Sequence, residues 1–498
     1  MQKRLTIAHV AAEIHPFSKS GGLGVVLGSL PKTQHDLGHF VLTITPFYER
    51  HIDTNRFTFD VIAEDVPIEV SKDHFEHVDF LVAQPIQNDN GFNGIAKYFI
   101  RNSTFFGGEE KLYGYERENA RFMLFNVASL HLLKFLDIHP DIINCHDWHA
   151  GLIPYFLKGR YGRDSYWKNT ATVFTIHNLT YQLGHNWWEI PVEERDLGRS
   201  QLPHFNDPSL ERINFAKRAI LNADSINAVS ETYRTEIMTK DFGQELHRTL
   251  KNRQNIFFGI VNGIDFDAYN PLTDPGLFRH YSSSSLGRRK VNKRALQKFY
   301  GLEQDDSIPL ICMTSRIVEQ KGFRLIMSVM LSLVRIPIQM IIMGDGDKEM
   351  QSFFSSIAKK FPKQFTIVPY DNLRETSLYA GSDMFLLPSR FEPCGINQLI
   401  AMRYGCVPIV HHIGGLADTV TDYDPLEKTG NGFVFDRYSS RELLVAIARA
   451  TETFKHRSAW NALIKSDMNE ANSWLIPAQK YIDLYYKTLR IKKRSSDI

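Results

Sequence analysis

Short apolar runs free of Asp, Glu, Lys and Arg recur along this chain, each followed by a longer amphipathic stretch. In the first half the runs are 5–10, 41–45, 142–145, 172–176, 225–229 and 256–261; in the second they are 310–314, 339–343, 365–368, 384–387 and 407–410. Strands that are apolar on both faces suit a parallel sheet covered by helices on both sides, and the βαβα rhythm predicts doubly wound α/β sheets. The runs fall into two sets. The stretch between them carries Asn270-Pro271, Asp274-Pro275 and the Ser282–Ser285 run, which predicts a hinge near 258–267. A chain of 498 residues is long for one core, so two domains are expected, 1–260 and 261–472, with 473–498 as a terminal segment.

Composition narrows the partners. Lys and Arg number 58 against 56 Asp and Glu, a net charge of +2, so no global field draws in nucleic acid or an anionic membrane. The cysteines at 145, 312, 394 and 406 are scattered without C-x-x-C spacing, which argues against a disulfide framework or a zinc site and for a reducing compartment. No stretch reaches the roughly 18–20 apolar residues of a membrane span, and no signal-type core precedes the first apolar run, so a cytoplasmic protein is expected.

Ligands of open α/β sheets sit beyond the carboxyl ends of the strands. At those ends the sequence concentrates its polar and glycine-rich motifs. Lys19-Ser20-Gly21-Gly22-Leu23 follows the first run, His146-Asp147-Trp148-His149 the third, His177-Asn178 the fourth and Asn262-Gly263 the sixth. In the second half come Ser315-Arg316, Gly344-Asp345-Gly346, Ser389 to Gly395, and Gly414-Gly415. Backbone N–H groups in such turns can face a phosphate or a sugar oxygen. Singly these motifs are weak: Gly22-x-Gly24-x-x-x-Gly28 misses the dinucleotide spacing by one residue, Arg316 and Lys321 would not share a helix face, and Glu392 in a Pro/Gly-bounded turn is equally a cap neighbour. His146, His149 and His177 could bind metal, but no third ligand stands at helical spacing, and contacts to hydroxyls fit them better.

Taken in order, the motifs are specific. Lys19-Ser20-Gly21-Gly22-Leu23, His146-Asp147-Trp148-His149-Ala150-Gly151, Thr175-Ile176-His177-Asn178-Leu179, Val261-Asn262-Gly263-Ile264-Asp265, Ser315-Arg316-Ile317-Val318-Glu319-Gln320-Lys321-Gly322, Pro388-Ser389-Arg390-Phe391-Glu392-Pro393-Cys394-Gly395 and Gly414-Gly415-Leu416-Ala417-Asp418-Thr419-Val420 closely resemble bacterial glycogen and plant starch synthases over nearly the whole chain. The resemblance implies a B-type glycosyltransferase, with two Rossmann-like domains facing across a cleft and a closing helix that returns to the first domain. It implies transfer of glucose from a nucleoside diphosphate glucose, ADP-glucose first, to the non-reducing end of an α-1,4-glucan such as glycogen, with retention and without a metal or other cofactor.

By the same resemblance Glu392 binds glucose hydroxyls, His177 contacts the sugar near C6, Asn262 helps to hold that sugar, and Asp147 lies on the acceptor side. Arg316, Lys321 and Lys19 meet the diphosphate, whose departing charge they would stabilise. Gly21, Gly22 and the backbone at Cys394, Gly395, Ile396 and Asn397 complete the donor pocket, and Tyr370 stacks on the base. The residues fit front-side attack and a covalent glycosyl intermediate alike. Two positions depart from the family pattern: Val25 stands where the family has Asp beside the nucleotide, and Leu183 precedes Gly184; Ile400, where many related retaining transferases carry a second glutamate, is as expected for the synthase branch. A donor of another nucleotide and a regulatory sugar-nucleotide- or glucan-binding paralogue are the remaining readings. A pyridoxal-dependent phosphorylase has no support in the sequence.

Overall fold

The computed structural model describes residues 3–85, 94–108, 111–470 and 472–496. It divides into two compact units, one comprising 1–260 with 474–498 and the other 261–473.

The first unit is built on a nine-stranded sheet: β1 Thr6–Val10, β2 Phe40–Pro46, β3 Phe57–Ser71, β4 His74–Pro85, β5 Ala96–Arg101, β6 Ile142–His146, β7 Ala171–Ile176, β8 Ser225–Ala228 and β9 Phe257–Gly259. Its order is β3-β4-β5-β2-β1-β6-β7-β8-β9. From β5 through β9 every pairing is parallel, and β6, β7 and β8 are buried along their whole lengths. The sequence reading found this parallel core and missed β3, β4 and β5. The reason is physical. β3 and β4 form an antiparallel hairpin at the edge, with exposed residues along both strands, so acidic residues interrupt the apolar pattern.

The second unit holds β10 Leu310–Thr314, β11 Gln339–Met343, β12 Phe365–Val368, β13 Met384–Leu387, β14 Val407–His411 and β15 Phe433–Phe435. All are parallel, in the order β12-β11-β10-β13-β14-β15. Only β15, three residues long, went unread.

In each unit the chain winds outward in two directions from a central pair, β1 beside β6 and β10 beside β13. At such a reversal the loops that leave adjacent strands diverge to opposite faces and open a crevice. The fold therefore fixes in advance which loops can hold a ligand.

The helix Leu475–Ser496 belongs to the first unit. Pro477 lies in its first turn, where its missing N–H leaves no ladder bond unmade, and Ala478 N–H donates to Trp474 C=O. Tyr481 and Tyr485 are fully buried; their hydroxyls accept from Asn227 Nδ2 at 3.0 Å and Asn144 Nδ2 at 2.8 Å. Thr488 Oγ1 donates to Ser225 Oγ at 2.9 Å. Polar side chains of buried strands thus find their partners on this helix. Tyr485→Ala should lower unfolding free energy by about 3–5 kcal/mol in chemical denaturation, since it opens a cavity and strands the Asn144 amide, while the exposed Arg490→Ala should stay within about 0.5 kcal/mol. Equal stability of the two variants would remove the helix from the core.

Candidate active site

In the first unit the loop after β1 is held by one carboxylate. Glu13 accepts from Ser20 N–H at 2.6 Å, Ser20 Oγ at 2.6 Å, Gly21 N–H at 3.2 Å and Tyr113 Oη at 2.7 Å. Gly24 permits this packing, because a Cβ there would stand 3.0 Å from Ser18 O and 3.2 Å from Glu13 Oε2. The result is an exposed Lys19 and an exposed Gly21-Gly22 pair opening the helix Gly22–Asp36, whose first N–H groups have no side-chain cap. Val25 is half-buried on that helix. Glu13 is a residue the sequence reading missed; its partner Tyr113 lies 100 positions away, beyond any local pattern.

Across the reversal, Asp147 adopts φ 56° and ψ −179°, a conformation uncommon for a non-glycine residue. Its Oδ1 accepts from His177 N–H at 2.7 Å and Asn178 N–H at 3.3 Å, tying the end of β6 to the end of β7. Burial pushes its carboxyl up to about 7, against the opposing pull of those two N–H donors. His177, 9% exposed, places Nε2 2.9 Å from His146 Nδ1, and burial pushes it down to about 3, so the ring is neutral across the working pH range. His149 packs against Trp148, 4.2 Å between ring centroids, and against Tyr113. Leu183 is buried with Trp187 and Ile190 as the small core of the loop beyond His177.

In the second unit the residues around β10 and β13 converge. Lys321 Nζ lies 2.6 Å from Glu392 Oε2, and Ser389 Oγ donates to the same oxygen at 3.0 Å. Glu392 is 7% exposed, whereas Arg316 is exposed at the loop surface. Gly322, at φ 79°, allows the approach: a Cβ would meet Pro388 O at 2.0 Å. Asn262 is 2% exposed, lies against the Cys394 thiol and has no partner for its Oδ1 among the described residues. Burial pushes that thiol up to about 12, so Cys394 is a neutral group and not a nucleophile at neutral pH.

Gly395 sits at φ 69°, followed by Ile396 and the short helix Asn397–Arg403. Gly415 lets the next helix lie on this loop, its N–H donating to Glu392 O at 3.0 Å. Tyr370 is 43% exposed; its N–H donates to Asp345 Oδ2 at 3.0 Å and its hydroxyl to Glu375 Oε2 at 2.9 Å. Glu375 also receives Tyr379 Oη at 3.0 Å and Asn397 Nδ2 at 3.4 Å. It was not singled out in the sequence, whereas Asp345 was, within Gly344-Asp345-Gly346, without its neighbour Asp347. Asp347 Oδ1 accepts from Met350 N–H at 3.0 Å as a helix cap, so both carboxylates serve the backbone.

Two family models match: the starch synthase catalytic domain over residues 6–252 and glycosyl transferases group 1 over 297–466. The chain is 38% identical over 512 residues to the glycogen synthase of Geotalea daltonii, covering 98% of this chain and all of the relative. It is 37% identical to that of Thermosipho melanesiensis, with 97% and 99% covered. This chain belongs to the glycogen and starch synthase family. Among solved structures, the catalytic domain of Arabidopsis thaliana starch synthase IV, bound to ADP and acarbose, superposes with a TM-score of 0.85 at 31% identity, covering 98% of this chain and 100% of that one. Membership makes the protein a glycosyltransferase of the hexosyl-transferring kind, with the two parallel-sheet domains of that synthase family. Among the described residues no helix is long and apolar enough to cross a membrane.

The Asp147 carboxyl gives a pH test. Unfolded, it titrates near the ordinary aspartate value of 3.8; folded, near 7, so between these values the folded state holds the extra proton. Its contribution is therefore fully present below about pH 4, declines as pH rises, and is lost above about 7. Asp147→Asn keeps an acceptor oxygen without the charge and should gain on wild type by about 1–3 kcal/mol between pH 5 and 7.5 in denaturant titrations. A stability difference that does not change with pH would show the carboxylate to be solvated.

Proposed function

We propose that this protein elongates an α-1,4-glucan by transferring glucose from ADP-glucose to its non-reducing end, with retention of configuration and without a metal. The observation that carries this is the cluster beside the β10/β13 reversal, where Lys321, Glu392 and Ser389 form one hydrogen-bonded group next to exposed Arg316. That the starch synthase IV structure carries ADP and acarbose supports the donor and acceptor classes.

The chemistry follows from charge. As the anomeric C–O bond breaks, negative charge grows on the departing diphosphate and positive character on the sugar ring. We assign the diphosphate to Arg316, Lys321, Lys19 and the uncapped helix start at Gly22, which stabilise that charge where it develops, while Gly21, its N–H given to Glu13, shapes the turn. Glu392, joined to Lys321, receives glucose hydroxyls, with Asn262 and the backbone at Cys394, Gly395 and Ile396 beside it. Asn397 and Glu375 fix the loop that presents Tyr370 to the base. His177, held neutral, meets a sugar hydroxyl, and Asp147 holds the His177 loop on the acceptor side. Val25 leaves the nucleotide without the carboxylate present in relatives, and Val25→Asp tests whether that shifts donor choice.

Transfer of labelled glucose into glycogen from ADP-, UDP- and GDP-glucose, each with and without EDTA, tests the reading. ADP-glucose should give the highest kcat/KM, unchanged by EDTA. Arg316→Ala and Lys321→Ala should each lose about 100-fold or more in turnover with the fold retained. Preference for another nucleotide would overturn the donor assignment, and loss with EDTA restored by magnesium would overturn the phosphate site.

A further inference from the structure

Three histidines from neighbouring parallel strands stand in line behind the proposed sugar site. His9 lies on β1, His146 ends β6 and His177 follows β7, and these strands are adjacent in the sheet. Gln34 Oε1 is 2.7 Å from His9 Nε2, His9 Nδ1 is 2.9 Å from His146 Nε2, and His146 Nδ1 is 2.9 Å from His177 Nε2. Gln34 Nε2 in turn donates to Tyr485 Oη, at 3.3 Å, on the closing helix. His9 and His146 are fully buried, and contacts of 2.7 and 2.9 Å are direct, with no water between the partners. Only Nδ1 of His177 has no protein partner among the described residues.

Proton counting fixes the state of this line. Burial holds all three imidazoles neutral, pushing His9 down to about 4, His146 well below its ordinary value, and His177 to about 3. Each ring therefore carries one N–H. A nitrogen–nitrogen contact of 2.9 Å needs one proton, since none gives lone-pair repulsion and two give a clash. Two of the protons fill the two contacts. The third has two places to go: between His9 and Gln34, or at His177 Nδ1. With the Gln34 carbonyl oxygen facing His9, it must lie on His9 Nε2, and every ring then donates from Nε2.

We propose that Gln34, His9 and His146 are positioning residues that hold His177 as the Nε2–H tautomer, so that its bare Nδ1 accepts a hydrogen bond from a sugar hydroxyl. Its identity as a sugar hydroxyl rests on the glucosyl-transfer reading; the tautomer does not. A bare nitrogen lone pair welcomes an O–H donor and repels carboxylate or phosphate oxygens, so the line makes this subsite selective for a neutral sugar. The closing helix takes part through Tyr485, which helps to orient the Gln34 amide.

The test reads the tautomer directly, in the full-length protein labelled with 15N-histidine and without substrate. Long-range proton–nitrogen correlation, with His177 assigned by His177→Gln, should show a bare Nδ1 and a protonated Nε2 on His177. A protonated Nδ1 would overturn the proposal. Gln34→Met removes the directing oxygen and should switch His177 to the Nδ1–H form, which an unchanged spectrum would contradict. In transfer assays Gln34→Met and His146→Leu should lower kcat about 10-fold or more, as for other partners that orient a site imidazole, while His146→Gln, whose amide supplies one donor and one acceptor, should recover most of it. Equal kcat in the Leu and Gln variants would overturn the proposal, and should the Leu variant fail to fold, the wild-type spectrum and Gln34→Met still decide. Failure of the glucosyl-transfer reading would appear separately, as no wild-type incorporation from any nucleotide donor.

Discussion

A parallel sheet covered on both faces drives its polar side chains to the strand ends, and where the winding reverses the carboxyl ends open a crevice. The structure is organised by that constraint. β6, β7, β8, β10, β11, β13 and β14 are buried from end to end, so the polar loops gather where those strands stop. The winding reversals at β1/β6 and β10/β13 then select, from all those loops, the ones that carry Lys19, Asp147, Arg316 and Glu392.

Loops placed this way are held by carboxylates. Glu13, Asp147, Glu375 and Asp345 each accept from backbone N–H or hydroxyl groups of a loop, and for the buried Glu13 these donors replace the water it loses. Asp147 shows the cost, since its two N–H donors do not fully offset burial and its affinity for a proton rises. Glu392 differs in kind. Its partner is the Lys321 ammonium, which gives this acid a charge partner at the very place where the proposed chemistry needs a cation and a hydroxyl acceptor together.

How much of this the sequence discloses depends on the range of the interaction. The parallel strands were legible because burial on both faces strips them of charge. The β3–β4 hairpin was not, because its exposed residues mix Asp and Glu into the pattern. Glycine-rich turns and the Arg316, Lys321 and Glu392 motifs were visible as local strings, yet the 2.6 Å contact of Lys321 with Glu392 spans 71 positions and only the fold creates it. Glu13, Glu375 and His9 left no local signal, and the motifs at His146 and His177 gave no hint that these histidines join His9 in one line. Each gains its role from a partner on another element, and one sequence carries no record of that pairing.

The proposed glucosyl transfer forms one specific bond, and the structure of the product tests it most directly. A reducing-end-labelled maltooligosaccharide incubated with ADP-glucose should gain single glucose units, each α-1,4-linked at the non-reducing end by NMR of the isolated product, with one ADP released per unit added. Release of free glucose alone, a β-linked product, or transfer to an acceptor other than a glucan would contradict it.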